Sequence, residues 1–478
     1  MPGQLGDAAG VVLAAGRGTR MKSGRPKVLH RAGGRPLVAH VLDALAPLKL
    51  HRRVVVTSGG GVVEDALRSG GWAATVDFAV QDPPAGTADA VRVALESLGD
   101  HDGPVLVAQG ATPLVTSATF AAILEAHAAR PAAATALTAI RTDPFGYGRV
   151  VRDSDGGIAA IVEERDASDE QRLITEVNAG VYVFDARALA EILSGLGQNN
   201  DQNEYYLPDV IAALRSRGDP VGTYTTHPEE VFGVKSRLHL AEVEAVLRRR
   251  ACERWMTDGV TIVDPDTTYI DADASLEKDA IVRPFSFIEG KTVIREGADV
   301  GPHVRIVDSD VGSGASVTYS VVLGSSVGPG ATVGPFASLR PGTVLGRSAK
   351  LGTFVETKKS DIGDGSKVPH LAYVGDATVG RDVNVGAGTI TANWDGRAKH
   401  HTVIDDDAYI SSNTVLVAPA RVGRRAATGA GAVVRGEVPD EALAVGVPAR
   451  VIAGKGNRKR QASEPQRDGT AANSEGGL

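Results

Sequence analysis

From residue 260 onward the chain repeats itself. An aliphatic residue followed by glycine opens unit after unit, at Val311, Val327, Val333, Leu345, Leu351, Ile362, Val379, Val385 and Val422. Several neighbours lie six residues apart, and the step from Val333 to Leu345 is twice that. A six-residue period of this kind marks a parallel β-helix, in which each aliphatic side chain points into the prism and small residues make the corners. One unit cannot bury its own apolar face, so the coils must stack. The periodicity predicts a hexapeptide-repeat domain over residues 259–455. An aromatic content of only 4% alongside 57 glycines suits tight repeated turns better than an aromatic core.

Residues 1–235 read differently. Short β-branched runs at 54–57, 105–107 and 132–140 alternate with Ala/Leu-rich stretches, the pattern of an α/β domain with a mostly parallel sheet. In such sheets ligands sit at the carboxyl ends of the strands. Between the halves, Leu240, Val243, Leu247, Ala251 and Trp255 recur at spacings of three and four, with Arg248, Arg249 and Arg254 between them. This predicts an amphipathic linker helix over 236–258, stopped near Gly259. Residues 456–478 are polar and almost free of large apolar side chains, so they read as a disordered tail whose Arg458, Lys459 and Arg460 are solvated.

A length of 478 residues allows two or three domains, each with its own core. The 51 basic and 58 acidic residues leave a net charge of -7, against a nonspecific nucleic-acid binder, so no nucleic-acid partner is expected. Cys252 is the one cysteine and cannot form an intrachain disulfide, which fits a reducing cytoplasm. The N-terminus lacks a basic region ahead of its apolar run, and that run, 11–15, is too short for a signal peptide. No stretch approaches the ~20 apolar residues of a membrane span, so no membrane partner is expected.

The apolar run at 11–15 leads into Gly16-Arg17-Gly18-Thr19-Arg20-Met21, and Pro26-Lys27 follows. Gly16 and Gly18 let the backbone approach a ligand and take φ values closed to other residues, so N–H groups can face phosphate oxygens. Arg17, Arg20 and Lys27 add positive charge. Alone, such a turn is as readily a packing device. The whole run from Leu13 to His30, however, resembles the signature of sugar-nucleotide pyrophosphorylases. Joined to a hexapeptide half, it resembles the family of bifunctional N-acetylglucosamine-1-phosphate uridyltransferases and glucosamine-1-phosphate acetyltransferases, over residues 11 to about 455.

That resemblance implies an α/β nucleotidyltransferase domain with a Rossmann-like mixed sheet, then a linker helix and a left-handed parallel β-helix. It implies four substrates: UTP, N-acetylglucosamine 1-phosphate, glucosamine 1-phosphate and acetyl-CoA. The product would be UDP-N-acetylglucosamine for cell-wall synthesis, made by a homotrimer with acetyl-CoA sites between neighbouring β-helices. Carried over by motif, Leu13, Ala14, Ala15, Gly16, Gln81, Gly86 and Thr87 contact the uridine, Arg20 and Lys27 supply charge, and Gly148, Glu163 and Asn178 surround the hexose. Gln81 can donate and accept at once, as a uracil edge requires. The segment 204–209 and the Asn199-Asn200 loop also fit.

In the second half the sugar amine must be neutral when it attacks the thioester, which calls for a base that titrates near neutrality. His370 fits by chemistry and by motif position. The resemblance gives Arg340 and Lys358 the sugar phosphate, and Tyr373 and Asn384 the sugar, although Asn384 could also be a corner residue. It gives acetyl-CoA to Ala387, Asn393, Trp394, Ser412, Ala430 and Arg450. Trp394 replaces a usual tyrosine, Ser411 a glycine and Thr353 an asparagine.

Sharper departures cluster in the first half. The family's strand-end magnesium carboxylate is Ala111 here, within Gln109-Gly-Ala-Thr-Pro-Leu114, and its asparagine ligand is Lys235. Asp89 stands for a usual histidine and Gln109 for a usual tyrosine. Magnesium takes hard oxygen ligands, and alanine offers none, so no metal ligand is assigned. One reading is a uridyltransferase half that binds but turns over poorly. Another is full activity, with Lys235 placing an ammonium where the metal charge would sit. A third, a nucleotide-sugar-binding scaffold trimer, has no need for His370, Arg340 and Lys358.

Overall fold

The apolar run at 11–15 emerges as the end of the strand Ala9–Leu13, every residue of which is buried. Its side chains alternate between two cores. Val11 and Leu13 pack with Val54, Val56 and Val91, whereas Val12 and Ala14 pack with Val38, Val41 and Val55. This is the period of a strand covered by helices on both faces. In the computed structural model the described residues are 7–16, 18–198 and 204–455, so Arg17, the Asn199-Asn200 loop and the tail from 456 lie outside them. The chain divides into two compact units, Met1–Leu247 and Arg248–Leu478.

The sheet of the first unit runs, in spatial order, Val221–Thr226, Ala134–Ile140, Glu176–Asp185, Pro104–Gln109, Ala9–Leu13, Arg53–Ser58 and Asp77–Gln81. Neighbours are parallel, except that Glu176–Asp185 runs antiparallel to both its partners. The hairpin Arg149–Arg152 and Ile158–Val162 attaches to that antiparallel strand. The sheet is therefore mixed. Leu13 stands opposite Gln109 in register, so two carboxyl strand ends lie side by side.

One helix, Arg237–Thr257, follows, and Gly259 beyond it has φ 91°. Val243, with Leu240 and Leu247, packs against Met21, Leu37 and Val234. Cys252 is fully buried and belongs to the core of the second unit, and burial pushes its thiol up to about 11.

In the second unit short parallel strands stack coil upon coil. Thr261–Ile262, Ile281–Val282 and Asp299–Val300 begin one ladder. Two further ladders join where Glu356–Ile362 pairs with both Ser338–Leu339 and Thr343–Leu345. All nine aliphatic residues of the repeat are buried, at 2% exposure or less.

The glycines that follow them answer a packing demand more than a turn conformation. A Cβ on Gly328 would lie 2.6 Å from the Leu345 carbonyl oxygen, and one on Gly352 only 2.0 Å from that of Pro369. Backbone of the next coil already occupies the space. At one corner, left-handed conformations fall on Phe285, His303, Tyr319, Phe336 and Phe354, with φ between 46° and 58°. Their rings form a column with successive centroids 4.7–5.7 Å apart. The expectation of small residues at the corners is thus corrected for one corner, where scarce aromatics are concentrated and stacking offsets backbone strain. The step from coil to coil varies by a residue or so, and one departure is much larger. Leu351 pairs with Val368, but the next-coil partner of Val385 is Ile410, because the chain makes an excursion over residues 393–401. Among the described residues no helix is long and apolar enough to cross a membrane.

Candidate active sites

The Gly110 N–H donates to the Leu13 carbonyl at 2.9 Å and closes the join between the two central strand ends. Two adjoining cavities open there. One is lined by Leu13, Ala15, Gly16, Gln81 and Gly86, the other by Arg20, Gly148, Glu163, Asn178 and Lys235. Lys27, Thr87, Gln109 and Ala111 line both. Thr87, read as uridine-binding, thus faces both cavities, whereas Gly148, Glu163 and Asn178, read as hexose-binding, line only one.

Two expectations change. Ala14 lines neither cavity, because strand alternation turns its methyl into the core beside Val12 and Val55. Of the two loop glycines only Gly18 is left-handed, at φ 59°. A Cβ on Gly16 would meet nothing within 4 Å, so what this residue provides is open space at the cavity wall.

Gln81 is more committed than its sequence suggests. Its Nε2 donates to the Gly86 carbonyl at 2.9 Å and to the Asp89 carboxylate at 2.7 Å. Asp89 in turn pairs with Arg92 at 2.5 Å. With both amide protons engaged inside the protein, Gln81 has only the acceptor Oε1 left to offer, not a donor and an acceptor at once. Thr87 Oγ1 accepts from the Leu207 N–H at 2.9 Å, which ties the start of its helix to the far wall.

On the other side Asn178 is held at both ends of its amide. Nδ2 donates to the Tyr182 hydroxyl at 2.7 Å, and Oδ1 accepts from the Gly180 N–H at 3.0 Å. Burial raises the Glu163 carboxyl above its ordinary range, and Lys235 pulls it back down. Tyr182 is fully buried, and burial keeps its phenol protonated.

The two sharpest departures from the family pattern meet in space. The Val234 N–H donates to the Ala111 carbonyl at 2.9 Å, which sets the adjacent Lys235 beside Ala111 on one cavity wall. The Lys235 ammonium donates to the Gly146 carbonyl and lies 4.3 Å from the centroid of the Tyr147 ring. Burial, against the pull of Glu163, brings its pKa down to about 8. Lys27 also falls to about 8, from burial first and then from Arg20 and Lys235. Among the described residues no group of three or more His, Cys, Asp or Glu could hold a metal ion. The methyl of Ala111 and the ammonium of Lys235 offer a magnesium ion no oxygen ligand.

In the second unit His370 ends the strand Lys367–His370 and is exposed. The chain turns at once, with Leu371 left-handed at φ 44° and its N–H bonded to the Thr353 carbonyl at 2.9 Å. Arg340 pairs with Glu356 at 2.9 Å. Contact with Lys399, and then its charge, lowers the Lys358 pKa from the ordinary lysine value, with Arg340 adding to the effect and Asp376 opposing it. Asn393 Nδ2 donates to the Asp376 carboxylate and, at 3.3 Å, to the Tyr373 hydroxyl. Arg340, Lys358, Tyr373 and Asn393 therefore belong to one neighbourhood.

The remaining positions follow the stacking of the coils. The Asn413 N–H bonds to the Ala387 carbonyl and the Gly431 N–H to the Ser412 carbonyl, so Ala387, Ser412 and Ala430 fall along successive turns. Asn384 sits within its ladder, in register with Lys367 and Tyr409. Trp394 is exposed and bridges to Lys399 across the excursion, and Arg450 is exposed on the strand Ala449–Ile452.

Several residues in these sites had not been singled out: Tyr147, Arg149 and Glu164 in the first unit, Asp376 and Lys399 in the second. The first three are sequence neighbours of Gly148 and Glu163, the residues that the resemblance gives to the hexose. Lys399 lies in the stretch that breaks the sixfold period, and that break was its signal.

Comparison with known proteins places both units. A family model for nucleotidyl transferases matches residues 9–231. The Bifunctional protein GlmU of Heliobacterium modesticaldum is 50% identical over 438 residues, 91% of this chain and 94% of that protein. The protein of the same name from Carboxydothermus hydrogenoformans is 47% identical over 438 residues, 91% of this chain and 97% of its own. That of Corynebacterium efficiens is 46% identical over 474 residues, 97% of this chain and 95% of its own.

Proposed function

The chain belongs to the bifunctional GlmU family, and from that premise we propose that it serves UDP-N-acetylglucosamine synthesis with acetyl transfer intact and uridylyl transfer impaired. The observation that carries the asymmetry is the pairing of Ala111 with Lys235 on one cavity wall, set against a second unit that keeps His370, Arg340 and Lys358.

For acetyl transfer, Arg340, Lys358 and Lys399 form a positive neighbourhood whose mutual repulsion a sugar phosphate would relieve. Tyr373 and Asn384 orient the glucosamine, and Ala387, Asn393, Trp394, Ser412, Ala430 and Arg450 hold acetyl-CoA. The amine nitrogen attacks the thioester carbonyl, the N–C bond forms as His370 accepts the amine proton, and the C–S bond breaks to release CoA. The acetyl-CoA sites complete themselves between neighbouring β-helices of a homotrimer, and the enzyme works in the cytoplasm. Residues 1–235 carry the nucleotide chemistry, 236–258 link, and 259–455 carry acetyl transfer.

For uridylyl transfer, the cradle of Leu13, Ala15, Gly16, Gln81, Gly86 and Thr87 supports uridine binding, and Gly148, Glu163 and Asn178 support the hexose. Arg20, Lys27 and Lys235 supply charge to the phosphates. Without carboxylate or amide oxygens at positions 111 and 235 the in-line displacement proceeds slowly. The test is a single incubation of the full chain with glucosamine 1-phosphate, acetyl-CoA, UTP and magnesium chloride, followed by mass spectrometry. N-acetylglucosamine 1-phosphate should accumulate while UDP-N-acetylglucosamine stays scarce. Unchanged glucosamine 1-phosphate would overturn the acetyltransferase assignment, and rapid conversion through to the nucleotide sugar would overturn the impairment.

A further inference from the structure

Lys235 is held in place by a chain of contacts that begins away from the cavity. Arg149, 1% exposed, pairs with Glu164 at 2.8 Å. Glu164 then accepts from the Gly146 N–H at 2.9 Å, which holds the residue whose own carbonyl, on the following peptide, receives the Lys235 ammonium. The Tyr147 ring flanks the same ammonium, where its negative face attracts a cation. From the other direction, the Val234 N–H bonded to Ala111 pins the backbone next to Lys235.

The cavity that results is strongly positive. Arg20, Lys27 and Lys235 line it, against the single acid Glu163. An ammonium has three protons, and the Gly146 carbonyl uses one, so two remain for ligand oxygens. A magnesium ion entering beside Ala111 would find no oxygen on that side chain and a fixed positive charge next to it.

We propose that this site binds the phosphates of a uridine diphosphate sugar without any divalent cation, the anchored Lys235 ammonium acting with Arg20 and Lys27 as the counter-charge. The inference rests on the reading of the two cavities as a uridine-nucleotide and sugar site. Binding is then insensitive to chelators, and the charge that retains the ligand is part of the fold.

The test is calorimetric titration of the full chain with UDP-N-acetylglucosamine, and separately with uridine, in excess EDTA and in excess magnesium chloride. The wild-type affinity for the nucleotide sugar should agree within about threefold between the two conditions. Lys235→Ala should weaken it by about 10- to 100-fold in EDTA, the range for loss of hydrogen bonds to a charged group, and leave uridine affinity as it was. Lys235→Arg should retain most of the binding, which separates lost charge from damaged fold. Wild-type binding that appears only with magnesium, or a Lys235→Ala protein that binds as tightly as the parent, overturns the inference and leaves the uridine site standing. Failure of both uridine and the nucleotide sugar to bind the wild type under either condition overturns the underlying site reading as well.

Discussion

The two units solve different problems with the charges they bring together. At the carboxyl ends of the first unit's strands, Arg20, Lys27 and Lys235 converge beside a methyl, Ala111, and one raised carboxyl, Glu163. On the coils of the second unit, Arg340, Lys358 and Lys399 gather near Asp376, and His370 stands exposed at a strand end. Acyl transfer from a thioester needs a proton acceptor and a hold on the sugar, both of which ordinary side chains on rigid coils provide. Transfer between two polyanions depends on positioning and on charge placed where it develops in the transition state. The contrast teaches that a binding cradle and a reacting centre can diverge separately. Under the proposed function, Gly16, Gln81 and Thr87 shape the nucleotide cavity, while Ala111 and Lys235 alter its reacting corner.

The largest expected effect is on the intact side. His370→Ala should lower CoA release by ~10²–10⁴-fold, the usual contribution of general base catalysis, while pyrophosphate release stays at its parental level. Equal loss in both assays would mean that the histidine supports folding and that the comparison is wrong. Next comes a gain on the side proposed to be impaired. Ala111→Asp combined with Lys235→Asn should raise magnesium-dependent pyrophosphate release by ~10²-fold or more, the scale of a restored electrostatic contact in a transition state. No gain would show that some other residue limits the reaction.

Arg340→Ala should then raise the KM for glucosamine 1-phosphate by about 10- to 100-fold with a smaller change in kcat, as expected when a phosphate anchor is removed. A kcat loss without a KM change would move Arg340 from substrate holding to catalysis. The smallest effect is on pH. Lys27 and Lys235 each titrate near 8 in the free protein, so they are charged below that value and lose charge above it. Affinity for UDP-N-acetylglucosamine should therefore fall by roughly 10-fold between pH 7.5 and 9.5, with proton uptake on binding near pH 8. Calorimetry in buffers of different ionisation enthalpy reads both, and flat affinity would take the two lysines out of phosphate binding.

What was legible in the sequence was periodic or contiguous. Val311, Val327 and their successors announced their burial because every coil repeats the same demand, and the unbroken apolar run at 11–15 marked the buried central strand, whose two-sided packing shows only in the fold. The glycines of the repeat were legible as a pattern but not as a cause, since the atoms that exclude a Cβ at Gly352 belong to Pro369 on the next coil. Ala14 was assigned by motif to a cavity from which strand alternation turns it away. Gln81 could not reveal that Asp89 and Gly86 take both its amide protons. The anchoring of Lys235 was invisible for the same reason: Gly146 and Glu164 are remote in sequence, and only the folded sheet and its hairpin bring them to the ammonium.

The central claim is the asymmetry between the two sites, and one measurement addresses it directly. On a single preparation of the full chain, initial rates of CoA release from acetyl-CoA with glucosamine 1-phosphate are compared with rates of pyrophosphate release from UTP with N-acetylglucosamine 1-phosphate, both with magnesium and saturating substrates. The first should fall among ordinary enzyme turnover numbers, ~1–10³ s⁻¹, and the second at least ~10²-fold below it. Comparable rates would contradict the account, and would mean that Ala111 and Lys235 support the displacement they were inferred to weaken.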